Sequence, residues 1–441
     1  MKSVMNLPKS CNFFLQLIIL LVFTVPAQAA EKPKVLPAKA YHIIPETHSD
    51  ESGYFSLCEG KNGKIYIGTA KYDHNAFLVE FDPKTEKQRI VMDVNEVCGT
   101  PDYNGYKSQA KIHTFNYVDA NGTIYVGTKQ GYMRPERGDD PWDYTAGYIL
   151  SYNPETDSSR VLGRVPFNGH GVADVMVDEE RNIAYVVTCE DTERFGLWYR
   201  LDLATGTFRG IGPLVGMYST TVIDKDGIAY VITNRCKIAS YNPETEKTRE
   251  HNISCNGEIV RYPSHYAYQH LKISPDLKTA WFADMLDARL YELKLQHAAG
   301  DIPATDHGRM LSTKESSGEN LDLRAGLHVG PDGNIYAAVT RLEDMEGMKE
   351  PVSLNHIVSY NPETSQMTDH GVLTIENHNF FDFSKVDMEK YPHHGFQYLP
   401  CGALTPKNPL LAFTVAKDGT LYGTTIQVFS LVRLRLELTS F

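Results

Sequence analysis

Hydrophobic and polar positions along this chain alternate in short runs, and each run is closed by a turn carrying Gly, Asn, Asp or Pro. Short apolar runs bounded by turn signals predict β-strands rather than helices. The runs belong to a repeating unit. It starts with an apolar strand and a tight Asp/Asn-Gly turn. A strand such as Lys64–Thr69 (KIYIGT) or Thr123–Thr128 (TIYVGT) follows, then a loop, then a strand ending in a sequence such as Ser-Tyr-Asn-Pro-Glu-Thr. The turn pairs Asn62-Gly63, Asn121-Gly122, Asp226-Gly227, Asp332-Gly333 and Asp418-Gly419 predict two-residue hairpins in which both central residues take positive φ. Their second strands are rich in Ile, Val, Tyr, Phe and Trp, which suits strands packed on both faces. Proline after Asn153, Asn242, Asn361 and Asp82 stops the third strand and sets the next turn.

Units begin near residues 54, 113, 172, 218, 269, 324 and 410. A radial repeat of this kind predicts an all-β fold, a seven-bladed β-propeller of four-stranded antiparallel blades, occupying residues 31–441 as one domain. The last unit ends soon after its third strand, while the segment 39–47 (KAYHIIPET) has strand character and no partner. It is expected to complete the last blade and remove an open edge. Three connections, 93–110, 130–146 and 376–409, exceed ordinary loop length, and long ordered loops commonly carry function.

The first thirty residues read differently. Lys2 and Lys9 precede an apolar run over 13–25 that is short for a bilayer span, and Ala27-Gln28-Ala29 has the form of a cleavage site. A signal peptide over 1–30 is therefore expected, with a secreted or periplasmic mature chain and no membrane insertion. Its removal takes two lysines and no acids, moving net charge from −12 to −14. Such a field disfavours nucleic acid and anionic membranes, so an anionic ligand needs a local basic site. Six cysteines remain beyond the leader, without a C-x-x-C pair, and their spacing leaves buried thiols and disulfides equally open.

In a propeller the first strand of each blade lines the central channel. Aligning the units on their turn glycines places Tyr54, His113, Val172, Tyr218, Gln269, Arg324 and Leu410 around one channel mouth, with deeper positions mostly apolar. A polar ring there is not explained by core packing. The ends of the second strands add Lys71, Lys129, Arg235 and Arg341, and His170 precedes the third unit. Cations gathered on one face of an acidic chain point to an anionic ligand; exposed rim charges paired with acidic loops are the alternative. The sequence has no G-x-S-x-G, H-E-x-x-H, Walker or Rossmann pattern. Cys255, His265, His393 and His394 fall in connections on one face, which makes a structural zinc a candidate, though no close-spaced ligand pair supports it. The aligned ring offers no carboxylate, which counts against a metal-dependent lactonase or hydrolase.

The start of the second unit, Lys111-Ile112-His113-Thr114, and the spacing of Tyr218 from Arg235 resemble the seven-bladed propeller polysaccharide lyases, the ulvan lyases in particular. In architecture the likeness spans the mature chain. It implies that His113 and Tyr218 transfer protons, that Arg235 neutralises a uronate carboxylate, that an acidic polysaccharide is the partner, and that no cofactor serves the chemistry beyond a structural zinc found in some members. The family's second active-site histidine has no counterpart in the stretch 131–144 (GYMRPERGDDPWDY). The residues also fit β-elimination independently: a base removes the C5 proton, a cation stabilises the enolate-like transition state and an acid protonates the departing oxygen. His170, Arg324, Lys129, Lys71, Arg341, Tyr54 and Gln269 would line the substrate groove. A non-catalytic propeller that binds anionic glycans or protein partners is the competing reading.

Overall fold

A computed structural model describes residues 34–50, 54–190, 195–261, 270–313, 321–385 and 395–436. The hairpins form where expected, by a different turn. Gly63, Gly122, Gly227, Gly333 and Gly419 take φ between 74° and 87°, whereas the Asn or Asp before each does not enter the positive region. Each glycine N–H donates to the carbonyl three residues back, as from Gly63 to Gly60 and from Gly227 to Asp224. This is a type I turn followed by a left-handed glycine, which needs only one residue at positive φ. In the fourth unit the Asp224 carboxylate accepts from the N–H groups of Asp226 and Ile228 and from the Tyr230 hydroxyl. The Asn-Pro-Glu-Thr segments close the next hairpin through the Asn side chain. Asn242 Oδ1, for example, accepts from Glu244 N and Thr245 N at 2.9 and 3.0 Å.

These hairpins chain into four-stranded antiparallel sheets. Leu57–Glu59, Ile65–Gly68, Phe77–Asp82 and Lys87–Asp93 form one in simple sequence order. Val222–Ile223, Ala229–Ile232, Ile238–Asn242 and Lys247–His251 form another, and the order recurs in the other units. Among the described residues three sheets are larger, that of the second unit because Lys111–Ile112 and Tyr117–Val118 both pair with Ile124–Lys129. In the fifth unit Ile253–Cys255 adds a parallel strand beside Ile302–Arg309. In the last, Val35–His42 bridges two units: Lys39–His42 pairs antiparallel with Ser430–Arg433, and Val35–Ala38 pairs parallel with Val372–Ile375. The N-terminal segment thus completes the last unit, but its strand starts earlier than expected, and Pro45–Thr47 forms a 3₁₀ turn instead. The innermost strands of neighbouring sheets touch. Leu57–Glu59 meets both Tyr117–Val118 and Ala412–Val415, and Lys272–Ile273 meets both Val222–Ile223 and Leu327–Val329. Apolar side chains fill the spaces between sheets, as where Leu57, Ile65 and Phe81 pack against Tyr422, Phe429 and Leu431.

A chain lacking residues 34–42 should be strongly destabilised. It forfeits the ladder on both sides of that strand, and at about 1 kcal/mol per hydrogen bond the loss is several kcal/mol. The uncovered edge of Ser430–Leu434 should also promote association. Denaturant unfolding and light scattering test both effects.

Of the long connections, 93–110 carries a short α-helix, Val94–Val97, and a 3₁₀ turn at Gly105–Lys107. The connection 376–409 carries strands Phe396–Tyr398 and Leu404–Pro406, the latter joined to the strand ending at Ile375. The leader expected over 1–30 lies outside the described residues. Among those residues no helix is long and apolar enough to cross a membrane. Among the described residues no disulfide joins Cys58, Cys98, Cys189, Cys236, Cys255 and Cys401; Cys58 and Cys189 are buried in strands, whereas Cys401 is exposed.

Candidate functional site

The candidate site is built on the second unit. Lys111–Ile112 pairs with the end of Ile124–Lys129 so that Lys111 and Lys129 lie directly opposite each other. Like charges in that relation are destabilising, and both side chains are buried, at 2% and 1% exposure. Tyrosine faces compensate. The Lys111 ammonium lies 5.0, 4.8 and 4.5 Å from the ring centroids of Tyr54, Tyr72 and Tyr132, and Lys129 lies 5.5 Å from that of Tyr218. Cation–π contacts strengthen when desolvated. The backbone is tight at this point: a Cβ on Gly127 would collide with Val172 and Thr114, so only glycine lets the neighbouring strand approach. His113 N then donates to Gly127 O.

His113 stands at the centre. Its ring is stacked between Tyr54, at 4.4 Å, and Tyr218, at 4.9 Å, with the Phe55 edge at 5.4 Å. Lys129 Nζ donates to the Tyr218 hydroxyl at 3.4 Å, and the hydroxyls of Tyr54 and Tyr132 are 2.9 Å apart. His113 is fully buried, and neither ring nitrogen has a hydrogen-bond partner among the described residues. Burial, reinforced by Lys129 and Lys111, holds its pKa well below the usual value, so the imidazole is neutral. A buried polar group left unmet in a folded protein calls for an explanation, such as a ligand. Tyr54 itself takes φ of 49°, an uncommon conformation for a bulky residue. Tyr132, the outer ring of the cluster, is 46% exposed.

Comparison with known proteins bears on the scaffold. No family model and no curated protein matches the chain. Among solved structures, the β-propeller domain of Cps50 (Swd1) from Myceliophteria thermophila aligns at a TM-score of 0.51 with 8% identity, covering 91% of this chain and 100% of that one. The chain has a β-propeller fold. Virginiamycin B lyase from Staphylococcus aureus aligns at a TM-score of 0.48 with 9% identity, over 91% of this chain and 99% of that one.

In this propeller the residues singled out from sequence are brought together only in part. His113, Tyr218, Tyr54 and Lys129 form one cluster. Arg235 lies exposed in the turn after Ala229–Ile232; its N–H donates to Thr233 Oγ1, and no contact among the described residues joins its side chain to His113 or Tyr218. His170 is buried against Thr188 Oγ1 at 3.2 Å. Lys71 Nζ donates to the Glu46 carbonyl at 2.7 Å, and Arg324 is clamped by the Asp322 carboxylate. Arg341 is not a rim cation: it is 5% exposed and its Nε donates to buried Glu343 at 2.9 Å. Val172 and Leu410 pack in apolar clusters between sheets. Gln269, His265, His393 and His394 lie outside the described residues, so of the zinc candidates only Cys255 is described, at the end of its strand. The one metal-compatible group among the described residues is His42, His48 and Asp50. It fits an ion poorly, because both His48 nitrogens are already engaged, with Ile43 O and Asp50 N.

Apolar side chains predominate at the deeper level, but with polar exceptions. A cavity of about 240 Å³ is lined by Asn116, Asp174, Thr220, Lys272 and His328, with apolar neighbours. A carboxylate therefore does reach the channel. The uniform alignment missed these residues because strand registers differ; the third unit carries a bulge between Val172 and Asp174. Lys111 was overlooked for the opposite reason: it sits in the quoted motif, but its cage of Tyr54, Tyr72 and Tyr132 comes from three separate segments.

The buried histidines set an acid sensitivity. Burial lowers His48 to about 4 and His328 to about 3, and holds His113 and His270 well below 6.5. Each binds its proton more readily unfolded than folded, so stability falls as pH drops below about 6.5, by up to about 1.4 kcal/mol per pH unit for each histidine. Asp174, raised to about 7 by burial, and His356, raised by Asp369 and Glu343 against the opposing effect of burial, work in the opposite sense. The histidines outnumber them. Denaturant unfolding at pH 7.5 and 5.5 should show a clear loss at the lower value.

Proposed function

We propose that the protein is a secreted polysaccharide lyase that cleaves an acidic, uronate-containing polymer by β-elimination. The reading treats residues 31–441 as a single closed propeller of seven blades behind a cleavable leader. The contacts between innermost strands and the pairing of Lys39–His42 with Ser430–Arg433 support the closed ring. One observation carries the functional reading: an imidazole stacked on a phenol, with an ammonium 3.4 Å from the phenolic oxygen, at a single place in the channel.

In the proposed reaction the substrate carboxylate lies against Lys129 and Lys111, whose positive charge stabilises the enolate-like species as charge develops. Neutral His113 takes the C5 proton. Tyr218 gives its proton to the departing oxygen as the C4–O bond breaks and the C4–C5 double bond forms. The incoming carboxylate offsets the repulsion that the two lysines exert on a protonated imidazole, so substrate binding strengthens the base it needs. Tyr54 covers one face of His113 and has to swing aside for a sugar to enter. Arg235, exposed and without contact to the cluster among the described residues, is given no part in this reaction. Lys71, Arg324 and Arg341 are engaged elsewhere and are left out of the substrate groove.

A second reading is a non-catalytic propeller that binds acidic glycans; the enclosure of His113 between two rings favours it. Purified protein incubated with ulvan, glycosaminoglycans, alginate and pectin separates the two. The lyase reading expects near-ultraviolet absorbance from at least one polymer, lost in His113→Gln. Binding without absorbance from any polymer would favour the second.

A further inference from the structure

Behind the His113 cluster the channel is crossed by an aromatic layer. Phe55 stacks on Phe115 at 4.8 Å, and His270 meets Phe115 at 4.3 Å and Phe55 at 5.1 Å. Phe55 touches His113 and Tyr218, whereas Phe115 carries the Lys272 ammonium over its ring at 4.5 Å. The cavity lined by Asn116, Asp174, Thr220, Lys272 and His328 lies at that second level, and nothing in the proposed elimination uses it.

Its chemistry is one-sided. No carboxylate among the described residues is within 4.0 Å of Lys272. Asn116 accepts from Ser56 through Oδ1; its Nδ2 lies near the Cys58 thiol and has no nitrogen or oxygen partner among the described residues. His328 Nε2 is 3.1 Å from the Thr414 hydroxyl, and Nδ1 has no hydrogen-bond partner among the described residues. When Thr414 donates, Nδ1 carries the proton and is a further unmet donor. Asp174, the sole carboxylate in the lining, already accepts from Thr221 N at 2.7 Å, and burial raises it to about 7, so a share of it is protonated at neutral pH. Burial depresses Lys272, with Asp174 partly offsetting it. Buried donors without acceptors are costly, and here one cation, one amide donor and, in the tautomer in which Thr414 donates, an imidazole N–H share one small cavity.

We propose that this cavity is a second ligand site, which binds a small organic carboxylate through Lys272, Asn116 and His328. One cation matches a monoanion. A phosphate dianion is disfavoured, because its second charge would face Asp174. The volume is below the roughly 300–1,000 Å³ of drug-sized pockets, so the ligand is no larger than a monosaccharide acid. Asp174 and Thr220 are suited to the ligand's hydroxyl groups. The site stands whether or not the His113 cluster is catalytic.

Titration calorimetry on the full chain with lactate, glucuronate and inorganic phosphate tests the proposal. At least one carboxylate should bind with a stoichiometry of one and phosphate should bind more weakly. Lys272→Met should weaken lactate at least tenfold and Lys87→Met, an exposed lysine outside both sites, should leave it unchanged. Asn116→Asp, which keeps the side-chain shape and puts a negative charge among the donors, should also weaken it, and covers the case in which Lys272→Met fails to fold. Absence of saturable carboxylate binding, equal or tighter phosphate binding, or loss of binding in Lys87→Met but not in Asn116→Asp would overturn the proposal.

Discussion

Tyr218→Phe should lower the rate of unsaturated product formation by about 10²–10⁴-fold, the contribution of one positioned proton-transfer group, and leave the fold intact. The substitution removes a single oxygen. Tyr218 is 8% exposed and its ring packs against Phe55 and His113, contacts that phenylalanine keeps. The oxygen lost accepts from Lys129 Nζ, and Lys129 retains the Tyr218 ring face beneath it. Stability should therefore shift by no more than the roughly 0.5–1.5 kcal/mol of an ordinary hydrogen bond. Because the phenol is assigned to the departing oxygen, kcat should fall far more than KM rises. A polymer with a better leaving group at C4 should recover part of the lost rate. A purely structural tyrosine would give neither the split nor the recovery.

Glu343→Ala should destabilise the protein by about 3–5 kcal/mol, the cost of removing one partner of a buried charge pair. Glu343 is 4% exposed and serves two partners. Arg341 Nε donates to it at 2.9 Å and His356 Nε2 lies 2.7 Å away, while Asp369 holds His356 Nδ1 at 2.9 Å. Removing the carboxylate leaves the Arg341 guanidinium buried with its carboxylate partner gone. The pH dependence supplies an independent check. His356 is raised by Asp369 and Glu343 against the opposing effect of burial, so its contribution is fully present below the unfolded value near 6.5 and is lost as pH rises through the raised folded value. Glu343→Ala should shrink that contribution, and the stability gap between wild type and variant should narrow above neutral pH. Chemical denaturation at several pH values measures both. Glu343→Gln, which keeps an acceptor for Arg341, should cost less.

Much of the architecture was legible because it depends on local rules. Short β-branched and aromatic runs, turn glycines and Asn-Pro closures fix hairpins without reference to distant residues, and the lone strand near residue 40 had to find an edge. The turn type was misread because an Asn-Gly pair also serves a type I turn with a left-handed glycine, and the choice rests on one residue of loop length. The site was legible only in part. His113, Tyr54 and Tyr218 converge because equivalent repeat positions converge, and Lys129 joins them from the neighbouring second strand. Arg341 looked like its counterpart in that column, but Glu343, two residues on along the same strand, captures it. Asp174, Lys272 and His328 escaped notice because a bulge and unequal strand lengths shift the channel-facing positions from unit to unit. Periodicity locates a face; it does not locate a register break.

Mass analysis of the released fragments offers the most direct examination of the catalytic account. If the cluster performs elimination, the new non-reducing end of each cut carries a C4–C5 double bond and is lighter by one water than a hydrolysis product. Saturated non-reducing ends at the full mass would mean hydrolysis, and no new ends from any uronate polymer would mean that the stacked imidazole and phenol bind without cutting; either result contradicts the account.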